Sequence, residues 1–156
     1  MGKSKNKKTG KELFFEYYLN LYGDRFETLK QALFLEPHYF SYQYDENSPT
    51  YFLDSGSVLA ALSLPLKNAK LVLDLCAAPG GKTLIIAKEM EHDAQLTSNE
   101  YSKERYIRLK NVIEEHLPEE VSSRVKATCF DGATWCKYFG EYYDAILLDA
   151  PCSSER

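Results

Sequence analysis

The sequence predicts an α/β protein in which a parallel, doubly wound sheet follows a small helical lead-in. From Lys70 onward, short apolar runs alternate with longer segments of helical periodicity, and this pattern is typical of parallel sheets. The first of these runs leads into a turn with two adjacent glycines, and an acidic residue stands at the end of each of the next three runs. Ligands bind at the carboxyl ends of such strands, so the same pattern indicates where a site lies.

The composition favours one globular unit with a hydrophobic core. With 44% hydrophobic residues over 156 positions, the chain can bury roughly two-thirds of the surface that its unfolded form exposes. No apolar run approaches the roughly 20 residues of a membrane span, and no apolar segment follows the lysine-rich residues 1–11. The four cysteines lack zinc-ligand or disulfide spacing, so we expect no metal site and a reducing compartment.

The lead-in is predicted to contain two helices and an aromatic connector. Apolar residues recur at helical spacing up to Gly23, and Asp24 with Glu27 offers a capping box for a second helix. Residues 38–51 are rich in aromatics and contain turn residues, so we predict a loop-like connector whose rings pack onto neighbouring structure. A short helix over 54–63 follows.

The carboxyl-proximal part is predicted to alternate between strands and helices. Its elements are a strand over 71–76, a helix over 82–90, a strand over 95–100, a helix over 102–117, a strand over 125–130, a helical crossover through Trp135 and a strand over 145–149. We therefore divide the chain into residues 1–53, which hold the basic arm, lead-in and connector, and residues 54–156, which belong to the sheet domain.

The turn after the first strand, here called the glycine loop (residues 76–83), has the features of a cofactor-binding turn. Gly80 and Gly81 lack Cβ atoms, so the backbone can turn sharply and approach a ligand closely, while the following helix presents free N–H groups. A phosphate-binding loop ending at Lys82-Thr83 would need glycine where Cys76 stands, and the dinucleotide pattern is also absent.

Two acidic residues follow the next two strands. Glu100 ends the second strand, 26 residues after Asp74, where a carboxylate can accept hydrogen bonds from ribose hydroxyls. Asp131, followed by Gly132, can accept a hydrogen bond from an adenine amino group, although a helix N-cap explains it equally well. Their regular placement predicts an adenosine-containing cofactor.

The fourth strand ends in Asp149-Ala-Pro-Cys152, which indicates the kind of acceptor. C5 of cytosine becomes nucleophilic after a thiolate adds to C6, so a cysteine near a methyl donor has a chemical purpose. A carboxyl group beside N3 and N4 can stabilise the charge that develops on the ring. The alternative is that Cys152 is simply a small buried hydrophobic residue.

These motifs resemble the Sun/Nop-type (RsmB/RsmF-like) S-adenosylmethionine-dependent RNA cytosine-C5 methyltransferases. The resemblance rests on residues 74–83, 99–105, 131–132 and 148–153 and is firm from about Tyr51 onward. It implies a Rossmann-like methyltransferase fold, and it implies that residues 50–57 close over the site. It also assigns the methionine part of the cofactor to Cys76, Ala77, Ala78, Pro79, Gly80, Gly81 and Lys82.

The resemblance implies four further roles. Glu100 would bind the ribose and Asp131 the adenine of S-adenosylmethionine, and Asp149 would face the methyl group and the target base. Cys152 matches the cysteine that assists product release, whereas the nucleophile belongs to a Thr-Cys or Ser-Cys pair of a later motif. We expect the partner to be rRNA or tRNA, with no metal and no membrane, and we leave protein partners open.

The family's sheet has more strands than the four predicted here, so we expect a fold truncated after the fourth strand and a fragment that is inactive alone. Two alternatives stay open. The chain could be a non-catalytic cofactor-binding or RNA-binding module, or Cys152 could itself be the nucleophile. The net charge of −4 requires any RNA surface to be a local patch. We expect a cytoplasmic location, with mitochondria or the nucleolus as the alternatives in a eukaryote.

Overall fold

The computed structural model of the chain describes residues 8–36, 38–139 and 142–151. The chain forms two compact units: the first comprises the described residues up to Glu36, and the second begins at His38. None of the helices in the described ranges combines the length and apolar character that crossing a bilayer requires.

The first unit contains two helices, α1 (Gly10–Tyr22) and α2 (Phe26–Leu33). A capping box starts α1, because Glu12 N–H donates to Thr9 Oγ1 and Thr9 N–H donates to the Glu12 carboxylate. The helix ends at Gly23 with φ of 54°, as predicted. The predicted capping box of Asp24 was wrong: a 3-10 turn leads straight into α2, whose N-cap residue Arg25 is helical and makes no side-chain cap.

The second unit begins with an antiparallel hairpin of β1 (Tyr39–Tyr42) and β2 (Tyr51–Asp54), so the prediction of a loop-like connector over 38–51 was wrong. The strands were missed because apolar side chains lie on both faces, which hides the alternation that marks a half-buried strand. Leu53 is buried, for example, whereas its neighbour Phe52 is 64% exposed. Asp45 closes the turn between the strands by accepting hydrogen bonds from Ser48 and the Asn47 amide.

A short helix and a parallel sheet follow the hairpin. The elements are α3 (Ser55–Leu62), β3 (Leu71–Asp74), α4 (Gly81–Glu89), β4 (Gln95–Asn99), α5 (Lys103–His116), α6 (Glu119–Ser122), β5 (Val125–Thr128), α7 (Cys136–Phe139) and β6 (Ala145–Leu147). The α/β fold with a parallel sheet was predicted and is confirmed. The strands end one to two residues earlier than predicted, because the chain turns out of the sheet at the carboxyl ends.

The sheet order is β5-β4-β3-β6, with all neighbours parallel. Val72 and Leu73 of the central strand β3 are almost fully buried, and the core continues into Leu84 and Ile86 of α4 and Leu109 of α5. β4 and β5 are added on one side of β3, and β6 is added on the other side. The order in which successive strands are placed in the sheet therefore reverses at β3. A crevice forms at the carboxyl end of a strand with this position, where open α/β sheets bind ligands.

Candidate functional site

The glycine loop makes a sharp turn between β3 and α4. Gly80 has φ of 124°, which L residues rarely adopt. A Cβ atom on Gly80 would lie 2.8 Å from Val112 Cγ1 of α5, and one on Gly81 would lie 2.9 Å from Tyr51 Cε1 of β2. The sequence predicted a sharp turn and a close approach to a ligand. The structure shows the turn, but the close approach is made by the protein's own helix and hairpin.

The amino terminus of α4 lies directly after this turn. Its N-cap residue is Gly80, which offers no side-chain cap, so the first N–H groups of α4 are presented at the carboxyl end of β3. Thr83 in the first turn donates its hydroxyl hydrogen bond to Asp74 Oδ2 at 2.9 Å and lies 3.1 Å from Ser98 Oγ. These contacts hold the helix terminus against the ends of β3 and β4.

Asp74, the last residue of β3, is fully buried beneath the glycine loop. Burial raises the pKa of its carboxyl group to about 6, while the Thr83 hydrogen bond and the charge of Lys82 act in the opposite direction. Its Oδ1 atom has no hydrogen-bond partner among the described residues. Asp74 therefore places an unpaired acceptor behind the loop, a feature that the sequence did not single out.

An ion pair between Lys82 and Asp149 connects the glycine loop to the segment after β6. Lys82 Nζ lies 2.7 Å from Asp149 Oδ2, with side chains that are 19% and 50% exposed. Leu75 N–H also donates to the Leu147 carbonyl at 2.9 Å, which continues the β3–β6 pairing to the start of the loop. The glycine loop and the segment after β6 are therefore in direct contact.

Glu100 lies at the opposite side of the loop and is buried. Its Oε1 accepts a hydrogen bond from Ser102 N–H at 2.9 Å, and its Oε2 lies 3.6 Å from Arg105 Nη1. Arg105 Nη2 donates to the Ala78 carbonyl at 2.7 Å. Arg105 thus links Glu100 to the glycine loop, a role that its place in the motif over residues 99–105 does not reveal.

Asp131 is exposed and caps a 3-10 turn at Gly132–Thr134, where its Oδ1 accepts a hydrogen bond from Ala133 N–H at 3.0 Å. The N-cap interpretation is therefore correct, and the adenine contact stays a prediction. Next to it, the Phe130 ring packs edge-on against Trp135, with ring centroids 5.7 Å apart. This aromatic contact supports the turn after β5.

Of the two cysteines in the predicted site, Cys76 belongs to the described residues. Cys76 is half-buried, and burial together with the nearby carboxylates of Glu100 and Asp74 raises the pKa of its thiol. It is therefore a neutral thiol at neutral pH and a poor nucleophile. Cys152 lies outside the described residues.

The described residues also include a groove away from the predicted site, and they contain no metal-binding cluster. No group of His, Cys, Asp and Glu within residues 8–36, 38–139 and 142–151 could hold a metal ion. A groove of about 400 Å³ lies between α5, α6 and β5, and none of the predicted site residues lines it.

The sequence is similar to those of known proteins. A family profile described as 16S rRNA methyltransferase RsmB/F matches residues 61–156. The chain is 40% identical over 108 residues to the 5-cytosine rRNA methyltransferase NSUN4 of Bos taurus, covering 68% of this chain and 28% of that protein. It is 35% identical over 106 residues to the mitochondrial tRNA (cytosine(34)-C(5))-methyltransferase of Mus musculus, covering 68% and 30%.

The fold is also similar to a solved structure. A methyltransferase homologue from Pyrococcus horikoshii superposes with a TM-score of 0.66 at 18% identity, covering 91% of this chain and 59% of that one. The chain spans less than a third of the length of the two enzymes named above.

Proposed function

Because the chain belongs to the RsmB/F family of rRNA methyltransferases, we propose that the protein transfers a methyl group from S-adenosylmethionine to C5 of a cytosine in rRNA or tRNA. The transfer proceeds through a covalent adduct between a cysteine and the base. Relatives named as enzymes for rRNA and for mitochondrial tRNA both support an RNA substrate.

The observation that carries the proposal is the contact between Lys82 and Asp149. It brings the helix terminus that would hold a methyl donor next to the segment whose Asp-Ala-Pro-Cys sequence suits a cytosine acceptor. A carboxylate at this position can accept hydrogen bonds from the base amino group and from N3 once N3 carries a proton, which stabilises the protonated base. Lys82 fixes the direction in which that carboxylate points.

The residues around the glycine loop fit S-adenosylmethionine. The amino terminus of α4 and the unpaired Oδ1 of buried Asp74 offer donors and an acceptor for the amino-acid part. Glu100 would accept hydrogen bonds from the ribose hydroxyls, and Asp131 one from the adenine. When bound, this cofactor would supply an activated methyl group at the carboxyl end of β3.

The chemistry at the base requires a thiolate, not a thiol. Its sulfur forms a bond to C6 of cytosine, and the displaced electron pair makes C5 nucleophilic. A bond from C5 to the methyl carbon would then form as the bond from that carbon to the sulfonium sulfur breaks, with S-adenosylhomocysteine as the leaving group. After transfer, a base removes the proton from C5 and the bond between sulfur and C6 breaks, which restores the aromatic ring. The neutral Cys76 does not suit the first step. The family pattern gives Cys152 the role of assisting release and gives the bond to C6 to a second cysteine.

The substrate implies a local RNA-binding surface, because the chain as a whole carries a net charge of −4. We place the protein in the cytoplasm or, by likeness to the mitochondrial tRNA enzyme, in mitochondria.

A methylation assay tests the proposal. The whole gene product that includes these 156 residues is incubated with S-adenosylmethionine and with rRNA or tRNA that lacks the modification, and bisulfite sequencing maps 5-methylcytosine. We expect methylation at one or a few cytosines, and its loss in Asp149→Ala. Methyl transfer to an exocyclic amine or to protein, with no 5-methylcytosine, would overturn the proposal.

A further inference from the structure

The side chain of Asn99, the last residue of β4, is buried and 1% exposed. Its Nδ2 donates hydrogen bonds to the main-chain carbonyls of Leu75, at 3.2 Å, and Phe130, at 3.0 Å. Its Oδ1 accepts from Phe130 N–H at 3.0 Å and from Thr128 Oγ1 at 2.9 Å. Two donors and two lone pairs are all that a carboxamide has, so its hydrogen-bonding capacity is fully used.

The hydrogen bonds of the Asn99 side chain lie just beyond the last main-chain pairs that β4 makes with its two neighbouring strands. The last paired residues of the sheet are Asp74 with Ser98 and Asn99 with Thr128. Just beyond them, the Asn99 carbonyl accepts from Ala77 N–H at 2.8 Å, and its side chain reaches the segments after both neighbouring strands. Asn99 therefore connects the start of the glycine loop to the turn that carries the third acidic residue.

We propose that Asn99 is a positioning residue for the cofactor, which sets the separation between the glycine loop, Glu100 and Asp131 without contacting the cofactor itself. This inference rests on the proposed function, because it concerns three groups that the proposal assigns to one ligand. A ligand that spans all three binds most tightly when their separation is already correct, since no free energy is then spent on ordering them.

Two substitutions probe this role with little change in size. Asn99→Leu has a similar shape but removes the hydrogen bonds from Asn99 to the Leu75 carbonyl and to the Phe130 carbonyl and N–H. Thr128→Val removes one hydrogen bond to Asn99 Oδ1 and leaves the others in place. Val121→Ala is the control, because Val121 is buried in α6 and lines neither the glycine loop nor the Asp131 turn.

Calorimetry with S-adenosylhomocysteine measures the effect on the full chain, together with the melting temperature of each variant. We expect Thr128→Val to weaken the affinity about threefold, since it removes one hydrogen bond. Asn99→Leu removes several hydrogen bonds, so we expect it to weaken the affinity at least about tenfold. Val121→Ala should lower the melting temperature while keeping the affinity within about twofold of the wild type. Wild-type affinity in both Asn99→Leu and Thr128→Val would overturn the proposal, as would an equal loss in Val121→Ala.

Amide hydrogen exchange without ligand separates this inference from the proposed function. Asn99→Leu should speed exchange at Phe130 and Ala77, while Gln95, which pairs with the Lys70 carbonyl at the other end of β4, stays protected. If the wild-type chain does not bind S-adenosylhomocysteine, the cofactor part of the proposed function fails, and exchange still decides on Asn99. Unchanged exchange at Phe130 and Ala77 would overturn the positioning role. Where Asn99→Leu does not fold, Thr128→Val gives the same test at Phe130.

Discussion

The two sides of the crevice at the end of β3 are built in different ways. On the β4 side, Asp74, Asn99 and Glu100 are buried and joined to their surroundings by several hydrogen bonds. On the β6 side, Asp149 is half-exposed and its described ion-pair partner is Lys82 of α4. The difference teaches that the part assigned to the cofactor is preorganised by the core, whereas among the described residues Asp149 is oriented by the ion pair with Lys82.

Gly80→Ala should give the largest effect, because it disturbs the buried side directly. The φ of 124° is strained for alanine, and the new Cβ would lie 2.8 Å from Val112 Cγ1. We expect the free energy of unfolding to fall by about 3 kcal/mol, the sum of backbone strain and overpacking. Urea denaturation measures the change.

Gly10→Ala is the matched control, because a Cβ atom at Gly10 meets nothing within 4 Å. Its free energy of unfolding should stay within about 1 kcal/mol of the wild type. Equal losses at the two glycines would show that the turn at Gly80 is not tightly packed.

Asp74→Asn tests the burial of charge on the same side. The pKa of this carboxyl group is raised to about 6 from an ordinary 3.8, so the folded chain holds the proton more tightly than the unfolded chain. The free energy of unfolding therefore falls as the pH rises from about 4 to about 6, by up to about 3 kcal/mol from this group. We expect Asp74→Asn to remove that part of the slope, as measured by denaturation at pH 5 and pH 7.

Asp93→Asn should leave the slope in this range as it is in the wild type. Asp93 is exposed, and its hydrogen bond with Lys70 lowers the pKa of its carboxyl group, so its own titration lies below this pH window. Identical slopes in the wild type and Asp74→Asn would contradict a protonated Asp74 at pH 5.

Glu100→Ala should weaken the binding of S-adenosylhomocysteine at least about tenfold, because a charged acceptor for the ribose hydroxyls is lost. Isothermal calorimetry measures the affinity. Glu104→Ala provides the comparison, since Glu104 lies one turn further along, on α5, with a side chain that is 80% exposed. An affinity that falls equally in both variants would exclude a specific role for Glu100.

Lys82→Met should have the smallest effect on stability, because half-exposed ion pairs contribute about 0–1 kcal/mol. RNA methylation by the whole gene product should nevertheless fall well below the wild-type level, since Asp149 loses the group that orients it. Lys110→Met, which breaks the exposed pair with Glu114, should change neither quantity. A loss of several kcal/mol in Lys82→Met would show that the β6 side is as tightly built as the β4 side.

The features that were predictable from the sequence depend on neighbours along the chain. The alternation of strands and helices gave the sheet, Gly23 ended α1, and Asp54 caps α3 through the Ser57 amide. The N-cap was one of two interpretations that the sequence offered for Asp131, and the structure shows that cap. In each case the signal and its structural effect lie within a few residues of each other.

The features that were missed depend on partners that are distant in sequence. Asn99 bonds to residues 24 and 31 positions away, and Arg105 bonds to a carbonyl 27 positions away. A polar residue at the end of a strand or the start of a helix gives no local sign of such partners. The hairpin was missed for a different reason, since its aromatic residues lie on both faces.

The packing of Trp135 against Phe130 has a practical consequence. Trp135 is the single tryptophan of the chain, it is buried, and its ring touches a residue whose main chain is bonded to Asn99. The tryptophan fluorescence of the chain, excited selectively over its twelve tyrosines, therefore comes from one place, the end of the turn that carries Asp131. Its emission gives an optical signal, without any attached dye, for whatever ligand or substitution shifts that turn.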